Sequence, residues 1–160
     1  MCHAGKACGS IRSIKQTALW YGALTQAFDG AKYQGKRLRI TAYVKSKDVE
    51  NAAGLWMRME AYDGKGHCTI FSDFSGNRAI KGTNDWNQHE IVMDVPKEGT
   101  ALIYFGALLA GKGQMWVDDF KFEVVGNDVK TTSRTGQPVK GTSEPPAGFA
   151  REPNNLDFEE

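Results

Sequence analysis

Alternation of apolar and polar residues with a period of two is the feature that most restricts the fold of this chain. Three segments show it: KRLRITAYVKS, GLWMRMEAYD and HEIVMDVP. Successive side chains of a β-strand point to opposite faces, so each segment is expected to be a half-buried strand. The positions predicted to face inward are Leu38, Ile40, Ala42, Val44, Leu55, Met57, Met59, Ala61, Ile91, Met93 and Val95.

Turn-forming residues separate the strand-like segments at intervals of roughly ten residues. Further strands are predicted at 7–12, 22–28, 67–72, 100–109 and 114–125, and only 48–53 has a pattern compatible with a helical turn. A series of short strands without a convincing helix predicts an all-β fold. The expected architecture is an antiparallel β-sandwich or jelly roll.

Composition divides the chain into three parts. Residues 1–126 carry the strand signals and are predicted to form the body of the β-sandwich. Residues 127–152 are rich in Pro, Gly, Ser, Thr and Lys, and they offer too little apolar surface to offset the entropy of ordering. They are predicted to be a flexible linker. Residues 153–160, PNNLDFEE, return to strand-like alternation through Leu156 and Phe158.

The charge balance names no macromolecular partner. A net charge of +1 gives no strong field for nucleic acid or an anionic membrane, and no apolar run approaches the ~20 residues that cross a bilayer. We therefore expect no direct contact with nucleic acid and no membrane association.

The cysteines point to a reducing compartment. Cys2, Cys8 and Cys68 are odd in number and lack a CxxC spacing, which argues against a disulfide framework and a zinc site. Reduced thiols in the cytoplasm are the expectation. Secretion is the alternative if the chain is a piece of a longer exported protein.

Three segments together resemble the galactose-binding-like jelly roll of many carbohydrate-binding modules: HAGKACGSIRS, GTNDWNQHEIVMDVP and GKGQMWVDDFKFEVV. Over residues 5–126, the longer stretches GKRLRITAYVKSKDVENAAGLWMRME, IKGTNDWNQHEIVMDVP and FGALLAGKGQMWVDDFKFEVVG also look like a domain attached to bacterial transcription regulators of the AraC type. The resemblance implies a galactose-binding-like sandwich. Function is less tightly implied, because one fold hosts many activities.

Modules of this family often open with a strand that reads asparagine, any residue, phenylalanine and glutamate, and that strand is absent from the N-terminus here. Its look-alike is residues 155–159. First and last strands are neighbours in this sandwich, so the resemblance implies that residues 153–160 return as a C-terminal strand. The strand would complete either its own sandwich or that of a neighbouring copy, as a strand-swapped homodimer.

The resemblance also implies a structural Ca²⁺, which takes six to eight oxygen ligands. The candidate ligands are backbone carbonyls around Lys6 together with the side chains of Asp118 or Asp119 and of Asp157 or Glu159. The alternative is structural: the paired aspartates cap a strand turn, and the C-terminal glutamates are solvated.

A sugar site needs flat aromatic faces and planar polar groups gathered in a concavity. Trp56 and Tyr104 are predicted platforms on the sheet face, and Trp20 with Tyr21 is a candidate for the rim. The predicted hydrogen-bonding residues are Gln26, Arg58, Glu60 and Asp73. The competing interpretation pairs Arg58 with Glu60 or Asp73 on a solvated face, with Trp56 covering a second small core.

No catalytic motif is present. His67 and Cys68 are adjacent in a predicted strand, so their side chains point to opposite faces and cannot easily cooperate. Glu60 with Asp73 could serve glycoside hydrolysis only at a carboxyl separation of roughly 5–10 Å, which leaves a glycoside-active enzyme as the least favoured function. The sequence predicts non-catalytic binding of a carbohydrate or similar small polar ligand. The alternative is a sensor or protein-interaction module of a bacterial transcription regulator.

Overall fold

The structure is a computed structural model that describes residues 1–14, 20–63, 67–74, 78–132, 137–140 and 147–159, with the backbone alone for 67–73, 100 and 137–140. Its strands are β1 (Gly9–Arg12), β2 (Tyr21–Asp29), β3 (Arg37–Tyr62), β4 (His67–Phe74), β5 (Ile80–Asp94), β6 (Thr100–Ala110), β7 (Gln114–Val125) and β8 (Gln137–Lys140), with a 3₁₀ turn at Ala31–Tyr33. Every named strand pair is antiparallel, which confirms the predicted all-β antiparallel class. Within these ranges, no helix is long and apolar enough to span a membrane.

Strand β3 belongs to both halves of the sandwich. Its first part, Arg37–Lys47, lies between β7 and β5, and its second part, Ala52–Tyr62, lies between β6 and β4. One half therefore has the order β1-β7-β3-β5, and the other has the order β2-β6-β3-β4-β8. A single long strand thus connects the two halves.

The helical turn predicted at 48–53 is wrong, because these residues are part of β3. The register between β3 and β5 shifts three times between Val44 and Ala53, and Asp48 has a φ of +52°. Extra residues in one strand of a pair bend it and raise its twist. The polar, irregular sequence of this stretch therefore reflects the bend between the two halves.

The core follows the two-residue alternation. All but one of the eleven positions predicted to face inward are buried, as expected for a strand with one face on the core. The exception is Ala61, which is half-buried next to buried Tyr62. Phe28, Phe105 and Phe122 join this core with edge-to-face ring contacts.

The predicted flexible linker, residues 127–152, contacts the body at several points. Thr132 donates its backbone N–H to the Val92 carbonyl over 2.9 Å. Strand β8 pairs with β4, and Ala150 forms a parallel bridge with Phe28 on the edge of β2. Backbone hydrogen bonds to sheet edges do not require apolar side chains, which is why composition alone misses them.

The C-terminal segment, residues 153–159, packs on the body of its own chain. It is a turn and extended backbone rather than the predicted strand. Leu156 and Phe158 nevertheless pack against the core, and the Phe120 N–H donates to the Leu156 carbonyl over 3.0 Å. Asn155 and Phe158 have positive φ values, which interrupt the extended backbone that a strand requires.

Cys2 and Cys8 form a disulfide with a Cα–Cα distance of 5.5 Å, so the expectation of reduced thiols is wrong for this pair. The bridge closes the N-terminal loop across Gly5, whose φ is +55°. An odd number of cysteines does not prevent two of them from pairing when a turn brings them together. The side chain of Cys68 lies outside the described residues.

Candidate functional site

A groove crosses the outer face of the half formed by β2, β6, β3 and β4. Its volume is about 440 Å³, within the ~300–1,000 Å³ range of small-molecule sites. Side chains of alternate residues form its wall because paired strands keep their outward positions in line. The lining residues are Tyr21, Ala23, Thr25, Trp56, Met57, Arg58, Phe74, Tyr104 and Leu108.

Arg58 is held at the groove by two groups, one of which is bound by a third. Its guanidinium carbon lies 4.6 Å from the centroid of the Tyr104 ring, and its Nη2 lies 2.8 Å from Glu60 Oε1. The other carboxylate oxygen of Glu60 accepts a hydrogen bond of 2.5 Å from the Tyr62 hydroxyl. These contacts fix the plane of the guanidinium against the aromatic ring, which is the arrangement that suits recognition of planar or polar groups.

Two residues that line the groove each have a buried donor without a hydrogen-bond partner. The donors are Trp56 Nε1 and Arg58 Nε, and they are the only buried side-chain polar atoms without a partner in the described part of the chain. A buried unpaired donor costs roughly 1–3 kcal/mol, and folded proteins retain few of them. Both atoms are themselves buried, but they belong to side chains that line the groove, which is the functional candidate.

Gly106, at the centre of β6, allows β2 to approach β6 closely. It pairs with Thr25 on one side and Trp56 on the other, and it contributes no side chain to the face between them. A Cβ built on it would lie 1.9 Å from the Leu24 carbonyl oxygen, so only glycine fits at this position.

The structure brings together three of the six predicted ligand-binding residues, namely Trp56, Arg58 and Tyr104. Glu60 forms an ion pair with Arg58 but does not line the groove. For Asp73, the backbone lies opposite Met57, and its side chain lies outside the described residues.

Gln26 does not reach the groove, which corrects its predicted role. Its side-chain amide donates to the carbonyl and side-chain oxygens of Asn154, and its Oε1 accepts the Asn154 N–H over 3.0 Å. It shares a strand face with Leu24 and Phe28, which pack against the core. That apolar spacing, readable in the sequence, places Gln26 on the inner side of β2.

The sequence prediction missed Ala23, Thr25, Met57, Phe74 and Leu108 as lining residues and gave Tyr21 only as a candidate for the rim. The alternation of β2 and β6 provides a signal for three of them, because Tyr21 and Thr25 alternate with the core positions of β2 and Leu108 alternates with Leu109. Phe74 follows from the pairing of β4 with β3, where it lies opposite Trp56.

The proposed calcium ligands anchor the N-terminal loop through hydrogen bonds. Asp118 is 1% exposed, and its Oδ2 accepts the backbone N–H groups of His3 and Ala4 over 3.0 and 3.1 Å. Asp119 Oδ2 lies 2.7 Å from His3 Nδ1. These contacts give both aspartates partners without a cation.

Glu159 binds the same loop from the C-terminal segment. Its Oε1 accepts the N–H groups of Lys6 and Ala7 over 2.5 and 2.7 Å, and Asp157 Oδ1 accepts the Glu159 N–H over 3.4 Å. Lys6 contributes its N–H to this contact, whereas the calcium hypothesis assigns a ligand role to carbonyl oxygens near Lys6. The described residues contain no group of three or more His, Cys, Asp or Glu side chains suited to a metal, and calcium binding stays a prediction.

The chain is similar in sequence to a transcription regulator. The chain is 39% identical over 159 residues to YbfP of Bacillus subtilis (strain 168), which is described as an uncharacterized HTH-type transcriptional regulator. The match covers 99% of this chain, and the chain spans 50% of the length of that relative. No protein-family model matches the chain. This similarity confirms the predicted resemblance to a domain associated with bacterial transcription regulators.

Two solved carbohydrate-binding modules share the fold. One is the CBM22-1 xylan-binding domain of Xyn10C from Paenibacillus barcinonensis, with a TM-score of 0.51, 18% identity and coverage of 78% of this chain and 76% of that one. The other is the C-terminal family 22 carbohydrate binding module of Xyn10B from Clostridium thermocellum, with a TM-score of 0.51, 19% identity and coverage of 81% and 79%. The predicted jelly-roll fold of carbohydrate-binding modules is confirmed.

Proposed function

We propose that this protein binds a carbohydrate, or a similar small polar ligand, in the groove lined by Trp56, Arg58 and Tyr104. The observation that carries the proposal is that the aromatic side chains of Trp56 and Tyr104 and the guanidinium of Arg58 line one cavity of small-molecule size. Aromatic rings cover the apolar face of a pyranose, and N–H donors pair with its oxygens. Carbohydrate binding by proteins of the same fold supports this choice.

Binding proceeds without catalysis in this proposal. The carboxylate first considered as an acid or base, that of Glu60, is 8% exposed and has one oxygen on Arg58 and the other on the Tyr62 hydroxyl. Glycoside hydrolysis needs two carboxyl groups that reach the bound sugar from either side. Glu60 instead orients Arg58, so a chromogenic glycoside incubated with the protein should release no product.

The test is titration calorimetry with neutral oligosaccharides, including xylo-oligosaccharides, on the wild type and Trp56→Ala. We expect heat for a restricted set of saccharides and a loss of affinity of up to about tenfold in the variant, as an aromatic contact of roughly 0.5–1.5 kcal/mol implies. Trp86→Ala is the matched control, since Trp86 lies on β5 outside the groove. Absence of heat with every saccharide, or equal affinities in the wild type and Trp56→Ala, would contradict the proposal.

A second candidate is a sensor or protein-interaction module of a transcription regulator, and the similarity to YbfP favours it. The two roles are compatible if ligand binding in the groove is what the regulator senses. If the domain binds only protein, it should bind no saccharide on a glycan array. Its mass in solution should then increase with concentration in the wild type and in Trp56→Ala alike. Saccharide heat that disappears in Trp56→Ala favours ligand sensing instead.

A further inference from the structure

Burial on the groove face of β3 increases sharply along the strand. Trp56 and Arg58 are partly exposed in the groove, whereas Glu60 and Tyr62, two and four residues further on the same face, are 8% and 6% exposed. Leu102 of β6, which pairs with Glu60, is 2% exposed. An outer sheet face becomes buried only where something covers it.

Phe149 contributes to this cover. It packs on the cluster formed by Tyr62, Leu102 and Tyr104, and its ring meets the Tyr104 ring edge-to-face with centroids 6.1 Å apart. Tyr104 therefore has the Arg58 guanidinium over its ring and the Phe149 ring in edge-to-face contact. The same tyrosine belongs both to the groove and to its covered end.

The residues after Phe149 hold it in place. The Asp29 N–H donates to the Ala150 carbonyl over 2.8 Å, and Glu152 forms an ion pair with Lys32. The backbone contact fixes the segment at the edge of β2, one residue from the ring. Phe149 is thus part of an anchored segment and not a free loop side chain.

The groove consequently has one blocked end. Its lining includes Arg58 and Tyr104 but stops before Glu60, Tyr62 and Leu102. At the opposite end, Tyr21 is 65% exposed. A ligand can extend past Tyr21 into solvent, but it cannot continue along the sheet past Tyr104.

We propose that Phe149 is a specificity-determining residue that restricts the groove to a short saccharide or to the end of a saccharide chain. This inference rests on the proposed saccharide-binding function and names the ligand class of the same site. An internal stretch of a polysaccharide must leave a groove at both ends, and the Phe149 ring occupies one exit. A chain end needs only the exit beside Tyr21.

The test compares ligand length in the wild type and Phe149→Ala. Calorimetry uses the disaccharide and the hexasaccharide of the xylo-, cello-, manno- and galacto-series. For a series that binds, we expect wild-type affinities for the two lengths within about threefold, since added units lie in solvent. In Phe149→Ala the hexasaccharide should gain at least about fivefold while the disaccharide changes less than about twofold.

Phe149→Leu is the matched control, because it keeps an apolar side chain over Leu102 and should behave as the wild type. The inference would be overturned if the wild-type affinity rose more than tenfold from disaccharide to hexasaccharide and Phe149→Ala showed the same rise. If Trp56→Ala still abolished that binding, the proposed function would stand while the blocked end would not. Absence of binding by every member would overturn both.

Discussion

Arg58 connects the groove to the buried part of the sheet face. One side of its guanidinium contacts Tyr104, and an edge contacts Glu60, which is itself bound by Tyr62. The carboxylate lies in a place where water cannot replace a lost partner. Removing one member of such an ion pair is destabilising, because the charge of the other member is left poorly solvated.

The first prediction concerns this pair. Glu60→Gln should lower the free energy of unfolding by about 1–2 kcal/mol, because it removes the charge that Arg58 contacts and leaves one side-chain oxygen to serve both Arg58 and the Tyr62 hydroxyl. Urea denaturation at neutral pH measures the change. Glu123→Gln is the control, because Glu123 pairs with another arginine of β3, Arg39, at 2.6 Å but is half exposed. This substitution should lower the free energy of unfolding by less than about 0.5 kcal/mol. Equal costs at the two sites would contradict the argument.

Single residues of the groove were predictable where strand phase was certain. Trp56 and Arg58 alternate with Leu55, Met57 and Met59, and that alternation alone assigns them to the outer face. Gln26 has the same phase as Leu24 and Phe28, which pack against the core, so its phase indicates the inner side of β2 whatever its polarity. Phe149 had no local signal, since its contacts come from residues far away in the sequence.

At the scale of elements, the strands follow from local pattern and the connections do not. Strand β7 begins and ends where the alternation predicts, at Gln114 and Val125. By contrast, β3 continues through 48–53 because β5 pairs with Val49 and Ala53 and β6 pairs with Ala52 and Ala53, and a helix would abandon those hydrogen bonds. The C-terminal segment is bound by backbone and carboxylate contacts whose partners cannot be read from its own sequence.

The disulfide leads to a prediction at this scale. Cys2 and Cys8 close a short loop, with a sequence separation of 6, and the loop-entropy model gives about 2 kcal/mol for its stabilisation. Reduction, or the Cys2→Ser/Cys8→Ser variant, should lower the free energy of unfolding by that amount. Chemical denaturation with and without a phosphine reductant measures it.

A thiol count provides the control for the disulfide. Under denaturing conditions the protein should show a single reactive thiol before reduction, from Cys68, and all of its cysteines after reduction. Three reactive thiols before reduction would show that the pair is not oxidised. For the Cys2→Ser/Cys8→Ser variant, the free energy of unfolding should be the same with and without reductant.

At the scale of the whole molecule, both chain ends meet at one corner of the sandwich. The N-terminal loop donates N–H groups to Asp118 and to Glu159, so the loop, the last long strand and the C-terminal segment are bound together by carboxylates. This is the place at which the resemblance to carbohydrate-binding modules implied a calcium ion. In the structure, these hydrogen bonds join the N-terminal loop to β7 and to the C-terminal segment.

Calcium binding at this corner is tested by thermal unfolding in excess calcium and in excess chelator. The calcium hypothesis predicts a melting temperature several degrees higher with calcium, because a ligand that binds only the folded state stabilises it. Asp118→Asn should remove that difference. Identical melting temperatures in calcium and in chelator would contradict the hypothesis and leave hydrogen bonds as the means by which the corner is held.

The meeting of Glu159 with Lys6 and Ala7 also determines how the molecule would respond to mechanical force. Tension applied through the first and last described residues acts first on this contact, since it joins the two points of attachment. The C-terminal segment would then detach from the sheet edge one contact at a time, from Glu159 back towards Ala150. The sandwich would remain folded while that peeling proceeds, so the segment that carries Phe149 would yield before the sheets that form the groove.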